Sequence, residues 1–256
     1  MKSFRNARCL TFFWAGETAG SGHNHWEHAT KTMSTEFAEQ DFLDFKCPNC
    51  GEVNSFPEDS IGLVRECVNC MNDLIVPEAG SEFGQKISLP ITTPRLVLRR
   101  FEPRDWNDLL TFMFDNEEEA SHWLENDSKI KLTTPDRIFS LAVQVRDSGK
   151  VIGSVGMRST DFGFREAEIS TDGDQQNQFK EFAGEAVQGV LGFCFRDLKL
   201  HRVVARCGGG DAGACQLFES VGMRREGEFV KNYYSNGEWL NTIWFAMLDE
   251  EHGQVE

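Results

Sequence analysis

The stretch EAEISTDGDQQNQFKEFAGEAVQGVLGFCFRDL, residues 166–198, contains a strand, a polar connection and a long helix in that order. Alternating residues over 166–171 predict the strand, and apolar residues at helical spacing predict the helix: Phe182, Ala186, Val190 and Phe193. The first turn of a helix has backbone N–H groups without intrahelical partners, so it is a common place for a bound phosphate. The stretch therefore predicts a strand that leads directly into a candidate anion site.

The hydrophobic pattern on both sides extends this unit into one mixed domain. Alternation predicts further strands at 95–101, 139–146, 151–159, 201–207, 228–234 and 239–248. Helical spacing predicts helices within 102–126 and at 212–222, the second of which ends at Gly222. Antiparallel hairpins followed by a strand–helix–strand–helix order predict an α+β fold with a mixed sheet.

Four of the eight cysteines form two CxxC pairs, Cys47 with Cys50 and Cys67 with Cys70. Their spacing is typical of a structural zinc site, in which each CxxC turn presents two sulfurs to one Zn²⁺ ion. Iron in a rubredoxin-like site is a second possibility, and a pair of disulfides is a third. With short strands at 52–56 and 62–67, residues 45–79 form a predicted zinc ribbon, which is too short to fold without its metal.

Composition predicts the remaining boundaries. Residues 1–44 are polar for much of their length and include GSGHNHWEHATKT, so we expect a disordered or weakly ordered segment, and the natural start is Met1 or Met33. Residues 80–94 are rich in Gly and Ser and predict a linker. The large domain then spans 95–251, and 252–256 form a tail.

The charge of the chain limits its partners. The formal net charge is -15, and the predicted ribbon has more acidic than basic residues, so we expect no nucleic-acid binding. No apolar run reaches the length of a membrane span, so we expect no membrane association. The acidic surface suits a cationic acceptor, and the ribbon suits a protein partner. Cysteines kept as metal ligands favour a reducing compartment, so we expect a cytoplasmic protein.

Four segments of the large domain, TPRLVLRRFEPRDWNDL (93–109), DSGKVIGSVGM (147–157), LHRVVARC (200–207) and LFESVGMRREGEF (217–229), together resemble the GNAT N-acetyltransferases. The resemblance covers about residues 90–250 and is strongest to the branch that acetylates ribosomal-protein N-termini. It implies a mixed, mostly antiparallel sheet, flanked by helices, whose two central strands splay apart. It also implies that acetyl-CoA lies in the gap between those strands, with its pyrophosphate on the loop that opens the long helix.

The resemblance assigns residues to this path. The backbone of Ile169, Ser170 and Thr171 would pair with the pantetheine arm. The pyrophosphate motif, Q/R-x-x-G-x-G/A, usually runs Q-G-K-G-Y-A in the family and falls on Gln178, Phe179, Lys180, Glu181, Phe182 and Ala183. In this register Phe179 and Glu181 replace two glycines. A second register places Glu181 at the Gln position and Gly184 at the second glycine. Asp211 and Ala214 take the positions of an Asn and a Ser near the CoA thiol.

Three residues are candidates for catalysis by the same resemblance. Glu168 aligns with a carboxylate that faces the amine and would act as general base. Tyr233 or Tyr234 would return a proton to the departing thiolate. The acceptor would be a primary amine, such as a protein N-terminus or a basic peptide.

The Glu181 carboxylate opposes phosphate binding. At about 5 Å from a phosphate charge and an effective dielectric constant near 20, it would cost about 3 kcal/mol. Two functions therefore remain open. One is an acetyl-CoA-dependent N-acetyltransferase, and the other is a protein that keeps the GNAT fold, is catalytically impaired and acts as a zinc-ribbon-linked interaction module.

Overall fold

The computed structural model describes residues 41–160, 165–173, 178–235 and 237–253. Expectations for residues 1–40, including the choice between Met1 and Met33, and for residues 254–256 of the tail lie outside this part of the chain. The described residues form an eight-stranded mixed sheet with helices on both faces and a small cysteine module before it. This confirms the predicted fold class. Within these ranges, no helix combines the length and apolar content needed to cross a membrane.

The cysteine module contains two small sheets. One pairs β1 (Phe42–Lys46) with β2 (Val53–Pro57), and the other contains β3 (Val64–Glu66), β4 (Asp73–Ile75) and β5 (Gln85–Lys86). The module thus begins before the predicted boundary at residue 45, and β5 lies in the segment predicted as a linker. Backbone pairing explains this extent, because Lys46 N–H donates to the Glu82 carbonyl (2.8 Å) and its carbonyl accepts from Gly84 N–H (2.9 Å).

The main sheet has the order β12-β13-β11-β10-β9-β8-β7-β6. Its pairs are antiparallel except for β10 and β11, which run parallel. The strands are β6 (Ile91–Thr92), β7 (Leu96–Arg99), β8 (Phe139–Val145), β9 (Val151–Ser159), β10 (Glu166–Gly173), β11 (Arg202–Gly208), β12 (Arg224–Ser235) and β13 (Glu238–Leu248). All but β6, which also lies in the predicted linker, were predicted from alternation.

Helices cover both faces of the sheet. α1 (Trp106–Leu109) and α2 (Glu117–Asp127) pack on the face that carries Ala142 and Val151. The other face is covered by α3 (Gln178–Gly192), which continues as a π-helical segment over Phe193–Asp197, and by α4 (Ala212–Ser220). A short helix, α5 (Asp249–His252), follows the last strand and extends into the predicted tail.

One continuous apolar core joins the module to the large domain. It contains buried residues of α3, such as Val190, and of the central strands, such as Ile169. Val64 and Ile75 of the module and Leu132 of the loop after α2 belong to the same cluster. The two parts therefore share buried surface, which distinguishes this arrangement from two domains on a free tether.

Candidate active site and metal centre

The parallel strands β10 and β11 separate at one end. They pair from Glu166 and Arg202 only as far as Ile169 and Ala205. Beyond that point β10 continues along β9 and β11 continues along β13. Among the described residues, no strand pairs with the side of 170–173 that faces β11. The three residues expected to contact pantetheine, Ile169, Ser170 and Thr171, lie where this gap opens.

Phe179, one of the two residues in a glycine position, is completely buried beneath the start of α3. A Cβ atom added to Gly153 or to Gly173 would lie 2.3 Å from an atom of the Phe179 ring. These two glycines face each other across β9 and β10. The ring thus takes the space that two strand side chains would fill. Glycines inside strands often mark such a close approach, and this signal was present in the sequence.

Glu181, the other residue in a glycine position, forms an ion pair. Arg95 Nη1 lies 3.3 Å from Glu181 Oε1, and Arg95 Nε lies 2.6 Å from Glu185 Oε2. The Arg95 guanidinium also lies 4.5 Å from the centre of the Phe182 ring. Arg95 immediately precedes β7, which is on the opposite side of β10 from β11. The Glu181 charge is therefore partly compensated and directed away from the gap, which reduces the penalty expected from sequence.

The rest of the predicted pyrophosphate motif follows the first turn of α3. Gln178 begins the helix, Lys180 is exposed, and Ala183 is buried against the core. Residues 174–177, which connect β10 to this turn, are outside the described part of the chain. The structure thus brings the helix start to the end of β10, as the resemblance implies.

The predicted contacts to the CoA thiol lie at the start of α4. Asp211 Oδ1 accepts a hydrogen bond from Ala214 N–H (2.9 Å), and Asp211 N–H donates to the Gly208 carbonyl (2.9 Å). Asp211 is thus the N-cap of α4, a role that Asp and Asn both fill well. Both residues consequently lie beside the last residue of β11, at the far side of the gap.

The structure separates the two candidate tyrosines. The Tyr233 hydroxyl lies 2.6 Å from the position that a Cβ atom on Gly208 would occupy, so it is at the gap end of β11. Tyr234 is half exposed and packs against Trp239, with ring centres 5.5 Å apart. Of the two, Tyr233 is the one beside the predicted thiol site.

Glu168 lies on the sheet face opposite α3 and is bound by two arginines. Arg158 Nη2 donates to Oε2 (2.5 Å), Arg206 Nε donates to Oε1 (2.6 Å) and Arg206 Nη2 donates to Oε2 (2.9 Å). The Glu168 side chain is only 12% exposed. Charge-assisted hydrogen bonds of this kind are shorter and stronger than neutral ones, so they fix the position of the carboxylate. Both oxygens thus accept hydrogen bonds from arginine in this arrangement.

An aromatic surface continues from this ion pair. The Arg206 guanidinium lies 5.2 Å from the centre of the Trp244 ring, and Trp244 lies 5.7 Å from Phe229. Trp244 and Phe229 line a cavity of about 230 Å³ together with Glu226 and Gly227. A larger cavity of about 360 Å³ is lined by residues of α3 and β6, among others, and by none of the residues named at the gap. The smaller cavity adjoins the sheet face that carries Glu168, Arg206 and Trp244, which we call the candidate acceptor face.

The four cysteines of the two CxxC pairs come together in the module. Their Sγ atoms all lie within 4.8 Å of one another. The Cys47–Cys70 and Cys50–Cys67 sulfurs are 3.7 Å apart, far longer than the S–S bond of a disulfide. A tetrahedral ion with Zn–S bonds of about 2.3 Å has sulfurs about 3.8 Å apart. The cluster therefore fits one tetrahedral ion and contradicts the disulfide alternative.

Amide N–H groups around the cluster favour a thiolate at Cys67. Backbone N–H groups of Asn49 and Asn69 donate to Cys47 and Cys67. The buried Asn54 side chain donates to Cys67 Sγ (3.6 Å). Burial raises the pKa of Cys67, but these and neighbouring N–H donors outweigh it and lower the pKa to about 6. Burial raises the pKa of Cys47 to about 11. At least one sulfur is thus prepared as an anionic ligand.

Comparison with known proteins agrees with this geometry. The acetyltransferase (GNAT) domain family matches residues 95–224. An uncharacterised N-acetyltransferase of Bacillus subtilis (strain 168), YnaD, is 30% identical over 167 residues, which are 63% of this chain and 98% of that protein.

Two solved structures are also similar. The GNAT-family acetyltransferase from Bacillus anthracis has a TM-score of 0.55 at 27% identity and covers 64% of this chain and 100% of its own. A putative ribosomal-protein-serine acetyltransferase from Vibrio cholerae has a TM-score of 0.53 at 20% identity, with 64% and 99% coverage. The family match begins at residue 95, after the cysteine module. The splayed strands, the helix after them and these matches together show that the chain belongs to the GNAT acetyltransferase family.

Proposed function

We propose that the protein transfers the acetyl group of acetyl-CoA to a primary amine, and that the amine is a protein N-terminus. The observation that carries the proposal is the separation of β10 and β11 beyond Ile169 and Ala205. It leaves a backbone edge for the pantetheine amide groups and leads to the first turn of α3, whose N–H groups suit a pyrophosphate. The pairing of Glu181 with Arg95 reduces the expected repulsion between the Glu181 carboxylate and the pyrophosphate.

In the proposed reaction, the amine nitrogen attacks the thioester carbonyl carbon, the C–S bond breaks, and CoA leaves as a thiolate. Tyr233 donates its hydroxyl proton to that thiolate and regains a proton from water. Its position beside Gly208, at the gap end of β11, supports this role. The backbone of Ser170 and Thr171 holds the donor in the gap.

For Glu168 we propose a positioning role, with solvent water taking the proton from the attacking amine. Three guanidinium hydrogen bonds occupy its oxygens. As the general base expected from sequence, Glu168 would have to accept a proton while it stays beside the Arg158 and Arg206 guanidinium groups. In the proposed role Glu168 holds Arg206 against Trp244 and so shapes the acceptor face.

A protein N-terminus as acceptor is supported by two observations. The chain is strongly acidic, which favours cationic amines. The fold is shared with a protein described as a putative ribosomal-protein-serine acetyltransferase. We propose a cytoplasmic location, in keeping with the unpaired cysteines of the described chain.

We further propose that Cys47, Cys50, Cys67 and Cys70 bind Zn²⁺ as a structural ion and that the module also contacts a protein partner. The sulfur geometry supports a tetrahedral ion. Metal analysis of the purified protein should find about one zinc per chain. Cys47→Ser should lose it, and iron in its place would contradict the zinc assignment.

The alternative is a catalytically impaired protein that acts through interactions alone, and the buried Phe179 in place of a glycine favours it. Calorimetric titration with acetyl-CoA separates the two functions. Binding is expected, and no heat at high micromolar acetyl-CoA would refute the enzyme.

Acetyl transfer can be followed by mass spectrometry with a peptide that has a free N-terminal serine, and the same peptide acetylated beforehand is the matched control. Acetylation of spermidine but not of the peptide would support acetyl transfer to an amine and refute a protein N-terminus as the acceptor.

A further inference from the structure

The cysteine module contacts the large domain through several side chains at the loop after α2. Asp73 Oδ2 accepts from Leu132 N–H (2.9 Å), and Asp73 Oδ1 accepts from the Thr133 hydroxyl (2.6 Å). Glu66 pairs with Lys131 at 2.9 Å. Leu132 is buried in the same apolar cluster as Val64 and Ile75 of the module. Polar and apolar contacts thus hold one end of this loop.

The two acidic residues belong to the hairpin that carries half of the metal cluster. Glu66 and Asp73 face each other across β3 and β4. The turn between these strands contains Cys67 and Cys70, and it is closed by a hydrogen bond from Cys67 N–H to the Asn72 carbonyl (3.0 Å). An ion bound by both cysteines would therefore fix the spacing of the two carboxylates that hold the loop.

The other end of the loop lies on the candidate acceptor face. Ile138 Cγ2 lies 2.4 Å from the position that a Cβ atom on Gly156 would occupy, and Ser170 Oγ lies 2.9 Å from the same position. Gly156 and Ser170 are directly opposite each other on β9 and β10. Ile138 therefore packs beside Ser170, where the gap between β10 and β11 opens, on the face that carries Glu168.

We propose that the metal-loaded module positions the loop 131–138 through Asp73 and Thr133, so that the end of the loop at Ile138 forms one wall of the acceptor site. This inference rests on the proposed function for the identity of the site. Asp73 and Thr133 touch neither the donor path nor the acceptor; they act through the loop that ends at Ile138. Loss of the metal should therefore weaken acceptor binding and leave donor binding intact.

The test uses the full chain with Thr133→Val, which keeps the shape but removes the hydroxyl, and Thr133→Ser, which keeps the hydroxyl. Asp73→Asn and chelation of the metal complete the set. Hydrogen exchange of a peptide covering 130–138 should become about tenfold faster or more in Thr133→Val, in Asp73→Asn and after chelation, because bonds to a carboxylate are lost. Thr133→Ser should exchange like the unchanged protein, as should residues 186–191 of α3 in every sample.

With the N-terminal serine peptide as acceptor, KM for the peptide should rise about tenfold in Thr133→Val and Asp73→Asn, because the loop loses its hydrogen bonds to Asp73. The kcat and the calorimetric Kd for acetyl-CoA should stay unchanged. Unchanged exchange over 130–138 after chelation would overturn the proposal, and so would faster exchange without a change in KM. Failure of the unchanged protein to bind acetyl-CoA would count against the proposed function alone, because the exchange measurement needs no substrate.

Discussion

Replacing Phe179 with alanine tests how α3 meets the sheet. The ring is fully buried between Gly153 and Gly173, which face each other across β9 and β10. Truncation of a buried phenylalanine costs about 3–5 kcal/mol, and the cost is larger when neighbours cannot close the cavity. The two glycines have no side chains that could move into the space. We therefore expect a loss at the upper end of this range, about 4–5 kcal/mol.

A second substitution makes the test specific to this contact. Gly173→Ala alone brings a Cβ atom 2.3 Å from the ring and should destabilise the protein. The expected cost of such overpacking is about 1–3 kcal/mol. When Phe179 is already alanine, the same methyl group enters empty space and should instead recover about 1 kcal/mol. The two changes should therefore show a coupling of about 2 kcal/mol or more.

Urea unfolding of the four proteins in this cycle, followed by tryptophan fluorescence with metal present, measures the coupling. Gly184→Ala is the matched control on the same helix, because nothing lies within 4 Å of its added Cβ atom. It should stabilise the protein by up to about 1 kcal/mol. A loss below about 2 kcal/mol in Phe179→Ala would refute the reasoning. Additivity of the two substitutions within about 0.5 kcal/mol would do the same.

Three further predictions concern the site and its charges. Tyr233→Phe should lower kcat at least about a hundredfold if Tyr233 is the acid, whereas Tyr234→Phe should leave kcat unchanged. Glu181→Gly should change the calorimetric Kd for acetyl-CoA less than about fivefold, because the Glu181 carboxylate already has an exposed ion-pair partner. A gain of about a hundredfold in affinity would instead show that Glu181 repels the phosphate as strongly as the sequence predicted. Hydrogen bonding to Arg202 lowers the pKa of Glu226 from 4.5 to about 2. The folded protein therefore gains stability above pH 4.5 that is lost as the pH falls toward 2, about 1 kcal/mol after solvent screening. Urea unfolding against pH should show this loss in the unchanged protein and not in Glu226→Gln.

The sequence by itself predicted the elements whose signals are local. Alternation predicted β8, β9 and β10 within two residues at each end, because one face of each strand is buried. The two CxxC pairs predicted the cluster that brings Cys47, Cys50, Cys67 and Cys70 together. The order of the four quoted segments was sufficient to predict the GNAT family, because it follows the succession of strands and helices in that fold.

Tertiary structure decided the features that depend on contacts between distant segments. The sequence shows that Phe179 and Glu181 replace glycines, but only packing places the ring against Gly153 and Gly173 and the carboxylate beside Arg95. The same holds for the contact of Asp73 with the loop after α2, in a region where composition predicted a separate ribbon and linker. Periodicity reports which face of an element is buried, whereas the identity of the group it meets is determined by how the whole chain closes around the core.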